Sequence, residues 1–177
     1  MNLLKINLLI ALTTIFTGCS GGADSPTSSA EFHIAAFDVL KSGDSGRISE
    51  IALTLDDYVA IEKGFESNKG LAESEIIAKS EKTEKFQKAK AAESIEKIHS
   101  KTQEFGFDWA NATLAGVSQK QGDGKYDPKS TDKSIDVILE IKSGDKTIHV
   151  GIGDCIYVNG RRKTADGFRG VKLATAE

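Results

Sequence analysis

The chain has 177 residues, of which 39% are hydrophobic and 28% charged, and its formal net charge is −3. That length suits a single domain with a short appendage. A mildly acidic chain has no basic surface for nucleic acid or for anionic lipid headgroups, so we expect no nucleic-acid partner.

The N-terminus carries the pattern of a secretory signal. Lys5 gives a short basic region, residues 8–16 are apolar apart from two threonines, and small residues precede Cys19. This pattern resembles the bacterial lipoprotein signal, in which residues 1–18 are removed and the cysteine is diacylated, with palmitate-type chains. An ordinary secretory signal is the alternative. A transmembrane anchor fits less well, because a spanning helix needs about 20 apolar residues.

The lipoprotein resemblance implies where the protein is found. It places the chain in the bacterial cell envelope, with the membrane as its partner through the lipid on Cys19. Ser20, in place of an aspartate, implies the outer membrane facing the periplasm in a Gram-negative cell. Loss of Lys5 with the signal takes the net charge from −3 to −4. Residues 19–30 are small and polar, which predicts a flexible tether.

The second cysteine, Cys155, has no partner for an intrachain disulfide if Cys19 carries lipid. An exposed thiol is a liability in an oxidising compartment, so we expect Cys155 to be buried as a small hydrophobic residue. A catalytic cysteine is the alternative.

Apolar residues at helical spacing predict three helices in the first part of the chain. Asp44 or Ser45 can cap the second helix, and Thr54 can cap the third. The side chains expected to face inward are Phe32, Ala35, Ala36, Val39 and Leu40 in the first, Ile48, Ile51, Ala52 and Leu55 in the second, and Tyr58, Ile61 and Phe65 in the third.

Residues 66–90 are rich in Lys, Glu, Ser and Ala, which predicts a solvated helical insertion with several i,i+4 ion pairs. A partner-binding helix, or an oligomerisation helix over residues 71–101, is the functional alternative. Inward spacing resumes afterwards with Ala91, Ile95, Ile98, Thr102 and Phe105.

Alternating apolar residues then predict strands. They occupy residues 113–119, 135–141, 148–152, 155–158 and 161–165, with a hairpin turn at Asn159-Gly160. Residues 165–170 are expected to end the last strand, and residues 171–177 to fray. The prediction is a single α+β domain over residues 31–170, with N-terminal helices packed on a curved antiparallel meander of about four strands.

Two motifs carry a family resemblance. Leu40-Lys41-Ser42-Gly43-Asp44 ends the first helix, and Asn159-Gly160-Arg161-Arg162-Lys163 lies at the end of the meander. This combination is similar to small secreted and lipoprotein members of the nuclear-transport-factor-two-like or cystatin-like group. The resemblance implies helices packed across a curved sheet. It assigns no activity, because that group hosts enzymes, ligand binders and assembly domains.

The sequence holds no nucleophile elbow, phosphate-binding glycine loop or zinc-type cluster, so we expect no cofactor and no metal. The acids of residues 123–132 lack the spacing of a calcium loop. The candidate pocket residues, expected around a cavity between helices and sheet, are His33, Tyr58, Trp109, Asp154 and Tyr157. His33 could act there as a general base opposite Asp154 or Tyr157.

Together these observations predict a membrane-anchored envelope lipoprotein with a binding or assembly role toward an unidentified protein partner, and not an enzyme. The alternative is a small-ligand binder or enzyme that uses the cavity. His149 and Glu140 are further expected to form a polar pair across adjacent strands.

Overall fold

The structure is a computed structural model and describes residues 26–122 and 134–174. Helices come first and a four-stranded antiparallel sheet of order β1-β2-β3-β4 follows, which confirms the predicted α+β class. The elements are α1 (Pro26–Ser42), a 3-10 helix (Ser45–Glu50), α2 (Leu55–Gly64), a short 3-10 turn (Glu66–Asn68), α3 (Glu73–Glu104), β1 (Thr113–Gln121), β2 (Ile135–Ser143), β3 (Lys146–Val158) and β4 (Arg161–Leu173).

One face of the sheet is buried against the helices, as the alternation in β2 and β3 predicts. Val137, Leu139 and Ile148 are fully buried. They belong to one hydrophobic cluster with Val39 of α1 and Ile95 of α3. The predicted roof of amphipathic helices over an apolar sheet face is therefore confirmed.

Helix α1 begins earlier than predicted. It starts at Pro26 and so includes the last residues of the segment 19–30 that was predicted to be a tether. Proline is favoured in the first turn of a helix, since its fixed φ suits the helix and its missing N–H would have no intrahelical acceptor. Residues 19–25 lie outside the described part of the chain.

The N-terminus of α2 is joined to the β3–β4 hairpin through Asp57. Thr54 and Asp57 form a capping box at the start of the helix. The same carboxylate accepts hydrogen bonds from Asn159 at 2.9 Å and from Lys163 at 2.5 Å. Burial opposes ionisation of Asp57, but the hydrogen bonds from Lys163 and Thr54 outweigh it and lower the pKa of this carboxyl.

Replacing Asp57 by Asn should cost about 1–3 kcal/mol of unfolding free energy at neutral pH, because a cap and a buried ion pair are lost together. A lowered folded-state pKa contributes stability above the unfolded pKa. That contribution disappears as pH falls through the folded value, so the cost should shrink below about pH 4. Urea unfolding of both proteins across this pH range measures it. Asp56→Asn, an exposed neighbour in the same turn, is the control. A cost that stays constant with pH would contradict this assignment.

The segment predicted to be a solvated helical insertion, residues 66–90, is largely helical and mostly exposed, and it provides the first half of α3, a continuous helix of 32 residues. It packs on α2 and buries Ile76, Ser80 and Gln87. Lys79 reaches the Glu62 carboxylate of α2 at 2.8 Å. The buried side of this half-helix is mostly polar, so the sequence shows no apolar stripe there and did not indicate which side packs inward.

Strands β3 and β4 are longer than predicted. β3 runs unbroken through residues 146–158, with an irregular register around Asp154, which has a φ of 45°. β4 continues past Gly167 to Leu173, so neither the predicted end at residues 165–170 nor fraying of residues 171–173 is correct. At Gly167, with a φ of 67°, a Cβ would lie 2.4 Å from the Cβ of Ala91. Glycine at this position therefore lets α3 pack closely on β4.

The first part of β4 is covered along its outer edge. Leu53 donates its N–H to the Thr164 carbonyl at 3.1 Å, and Thr164 donates its N–H to the Ile51 carbonyl at 2.9 Å.

Among the described helices, none is both long and apolar enough to span a membrane.

Candidate functional site

The space between the described helices and the sheet, where a cavity was predicted, is filled by side chains. Val39, Ile95, Leu139 and Ile152 are completely buried in it, and Phe168 is almost so. Side chains packed in this way fill the centre of the interface between helices and sheet. The inner face of the sheet therefore serves stability.

Three of the five predicted pocket residues belong to the helical part of the chain, and each contacts a structural partner. His33 lies 3.4 Å from the side-chain amide of Gln119 on β1, and partial burial lowers the pKa of its imidazole. Buried Tyr58 donates to the carbonyl of Ala165 at 3.3 Å. Trp109 stacks on the imidazole of His99, and its indole N–H donates to the hydroxyl of Thr102 at 2.8 Å.

The other two candidates lie in β3. Asp154 is almost fully buried and binds Arg169 of β4, while Tyr157 is half-buried opposite Arg162 in the same strand pair. His33 was predicted to act as a base opposite Asp154 or Tyr157. In the structure His33 contacts Gln119, and Asp154 contacts Arg169.

Cys155 is fully buried, as predicted. Burial raises the pKa of its thiol strongly, and the nearby carboxylates of Asp136 and Asp154 raise it further. A thiol held protonated is a poor nucleophile, so the catalytic alternative is not supported. Within residues 26–122 and 134–174 no group of His, Cys, Asp or Glu side chains is arranged to hold a metal ion, and the acidic loop of residues 123–132 lies outside that part.

The opposite, solvent-facing side of the sheet carries a shallow trough of about 510 Å³. It crosses all four strands. Its lining includes Lys120 of β1, Asp136 and Ile138 of β2, His149 and Gly151 of β3, and Arg169, Gly170 and Lys172 of β4. A concave surface of a few hundred cubic ångströms with an apolar floor and a few polar groups is the usual form of a ligand site.

Glycines make this trough concave. Gly151 and Gly170 face each other directly in the β3–β4 register, so the middle of the sheet has no side chain there. A third glycine, Gly153, has a different function: a Cβ at this position would lie 1.7 Å from Nε of Arg169. The arginine side chain therefore crosses β3 over Gly153.

By that route Arg169 holds three carboxylates at one end of the trough. Its Nη1 lies 2.9 Å from Asp136, and its Nη2 lies 3.0 Å from both Asp154 and Asp166. Burial alone would lower the pKa of Arg169, but the three carboxylates outweigh this effect and raise it. The guanidinium is thus a fixed structural cation.

Two lysines and a histidine form the rest of the polar rim. Lys120 has 66% of its side chain exposed and lies 3.5 Å from Asp136. Lys172 is exposed and makes no ion pair with any residue that the structure describes. His149 faces Glu140 across the strand pair at 4.0 Å, as predicted.

A smaller cleft of about 270 Å³ lies between α1, the first 3-10 helix and the β3–β4 hairpin. Two glutamates and two arginines line it together with three apolar residues. The lining consists of Glu31, Phe32, Ala35, Glu50, Ile51, Arg161 and Arg162. Because its charges balance, it indicates no ligand chemistry of its own.

No protein-family model, curated protein or solved structure was found to match this chain.

The trough residues were not among the candidates chosen from sequence. Lys120 lies in a polar run of β1 and Asp136 alternates with apolar residues of β2, and both patterns predict an ordinary solvent face. The signal that could have found the site is the glycine content of β3 and β4, since glycine inside a strand often marks a close approach by another group.

Proposed function

We propose that the protein is a lipid-anchored lipoprotein of the bacterial cell envelope whose single α+β domain binds a partner or ligand. The observation that carries the binding role is the trough on the solvent-facing side of a sheet whose other side is filled. Binding is favoured over catalysis because Asp136 and Asp154 are engaged by Arg169 and the Cys155 thiol is buried.

The anchoring part of the proposal depends on Cys19 and the apolar run before it. Each buried methylene of an acyl chain contributes about 0.8 kcal/mol, so two or more chains hold a protein on a membrane stably. With Ser20 after the cysteine, the outer membrane facing the periplasm is the proposed destination in a Gram-negative cell.

Replacing Cys19 by Ser should move the protein from the membrane fraction to the soluble fraction and abolish labelling by a radioactive or alkyne-tagged fatty acid, because the acylated atom is removed. Fractionation and labelling of cells that express each variant measure both effects. Cys155→Ala is the matched control and should keep the lipid. Continued fatty-acid labelling of the Cys19→Ser protein would refute lipidation at this residue.

A further inference from the structure

We propose that the trough on the outer face of the sheet binds an organic anion, namely a compact apolar or ring-shaped body that carries a carboxylate, sulfonate or phosphate. This inference rests on the proposed binding function and adds the chemical class of its ligand. Three observations support it: a glycine without a structural cause, the charge of the rim and the nature of the floor.

The first observation is Gly151. Its φ lies outside the left-handed region, and a Cβ there would meet only the Cβ of Arg169, at an ordinary 3.9 Å. No backbone or packing constraint therefore requires glycine, although glycine weakens the interior of a strand. A side chain at this position would project into the trough, so the absence of one keeps the trough open.

The second observation is the charge of the lining. It contains three cations, Lys120, Arg169 and Lys172, and a single carboxylate, Asp136. Asp154 and Asp166 bind Arg169 just outside the lining and offset this excess. The positive charge of the trough is therefore that of the exposed ammonium groups at its rim. Both oxygens of Asp136 accept hydrogen bonds from Arg169, and Lys120 lies 3.5 Å from the same carboxylate, so Asp136 is held by cations of the trough itself. The charges exposed at the rim are those of two lysines on the first and last strands. Lys120 lies beside Asp136 and is 66% exposed, and Lys172 makes no ion pair with a described residue.

The third observation is the floor between those lysines. It consists of Ile138 and the backbone of Gly151 and Gly170, which lie side by side on adjacent strands. An aliphatic side chain beside bare peptide planes favours a flat apolar body. Charged groups at the rim can then fix an anionic substituent, as in other ligand sites.

The test uses a matched pair of probes on the mature chain, residues 19–177 with Cys19→Ser, which carries neither the lipid nor the apolar signal and so needs no detergent. Anilinonaphthalene sulfonate provides an aromatic body with an anionic group. N-phenylnaphthylamine is its uncharged parent. Dissociation constants for both are measured by fluorescence titration, at low and high salt, for this background protein and for three sets of variants.

The variants separate charge from shape. Lys120→Gln with Lys172→Gln removes the rim charge, and Lys142→Gln, on the same face outside the trough, is its control. Gly151→Val fills the floor, and its Cβ would meet only the Cβ of Arg169, at an ordinary 3.9 Å. Its control is Gly116→Val, on the same face of β1, where a Cβ would meet Glu140 at an ordinary 3.4 Å.

We expect the sulfonate to bind at least about tenfold more tightly than its uncharged parent, and the double lysine variant to remove about tenfold of that affinity. High salt should also weaken binding of the sulfonate, because it screens the lysine charges. Gly151→Val should weaken both probes, while Lys142→Gln and Gly116→Val should change neither.

Equal affinity for the two probes, with Gly151→Val still weakening both, would overturn the anionic class and leave a binding function at the trough. Failure of both probes to bind, or equal binding by Gly151→Val and Gly116→Val, would overturn the site itself. Neither result bears on lipidation at Cys19, which the fatty-acid labelling decides separately.

Discussion

Truncation of Phe168 to Ala should lower the free energy of unfolding by about 3–5 kcal/mol, the range for large aromatic residues removed from a core. Phe168 is only 1% exposed and lies opposite Ile152 in the β3–β4 register. It belongs to the same buried cluster as Val39 of α1 and Ile95 of α3. Loss of the ring would leave a cavity at the contact between the sheet and its helical roof.

Phe86→Ala provides the matched control, because it removes the same ring from a position that is 64% exposed on α3. Its cost should stay within about 0.5 kcal/mol. Urea unfolding followed by circular dichroism measures both, and Phe168→Leu serves as a milder variant if the alanine protein does not fold. Equal costs for Phe168→Ala and Phe86→Ala would contradict the proposed core.

Replacement of Arg169 by Met should be the second most costly change, at about 2–4 kcal/mol. Removal of one partner from a fully buried ion pair costs about 3–5 kcal/mol. Solvent screening reduces this figure, because the Arg169 side chain is 36% exposed. The cost arises because Asp136 and Asp154, with side-chain exposures of 10% and 1%, would lose their shared cation.

A second substitution isolates this electrostatic cause. Asp154→Asn keeps the shape of the side chain, and asparagine tolerates the positive φ found at this position. In the Arg169→Met background it should restore part of the lost stability, whereas in the parent protein it should destabilise. A double-mutant cycle from chemical denaturation measures this coupling. Additive effects, with no recovery in the double variant, would show that the carboxylates do not cause the loss.

The fold was largely predictable because its layers depend on simple periodicities. The apolar stripe of Ala91, Ile95 and Ile98 and the alternation of Val137 and Leu139 each have one dominant period. Burial of those side chains decides the local structure. The caps at Asp44 and Thr54 were predictable for a similar reason, since a short polar side chain can satisfy the first free N–H groups of a helix.

The errors fall where polar residues take a structural part or where glycine does not end a strand. Ser80 and Gln87 are buried on α3, although the polarity of their side chains predicts exposure. Asp166-Gly167 and Arg169-Gly170 have the composition of turns. In β4 they form irregular positions that pairing with β3 keeps in the sheet. Tertiary contacts override local preference in both cases.

The site could not be predicted for a related reason. The inward face of α1 was identified correctly through Phe32 and Val39, but His33 points to β1 and contacts Gln119. The trough depends on residues from four strands, and their alignment follows from register shifts that no local pattern encodes. Only a three-dimensional arrangement brings Lys120 of β1 and Arg169 of β4 to the same carboxylate, that of Asp136.

If ligands bind the solvent-facing side of the sheet, the amide resonances that move on titration with anilinonaphthalene sulfonate should identify that side. In ¹H–¹⁵N spectra of the Cys19→Ser protein, we expect the largest shifts at Ile138, Gly151 and Gly170. Shifts concentrated instead at Phe32, His33 or other residues of the helical layer would place binding between helices and sheet and would contradict the proposed site.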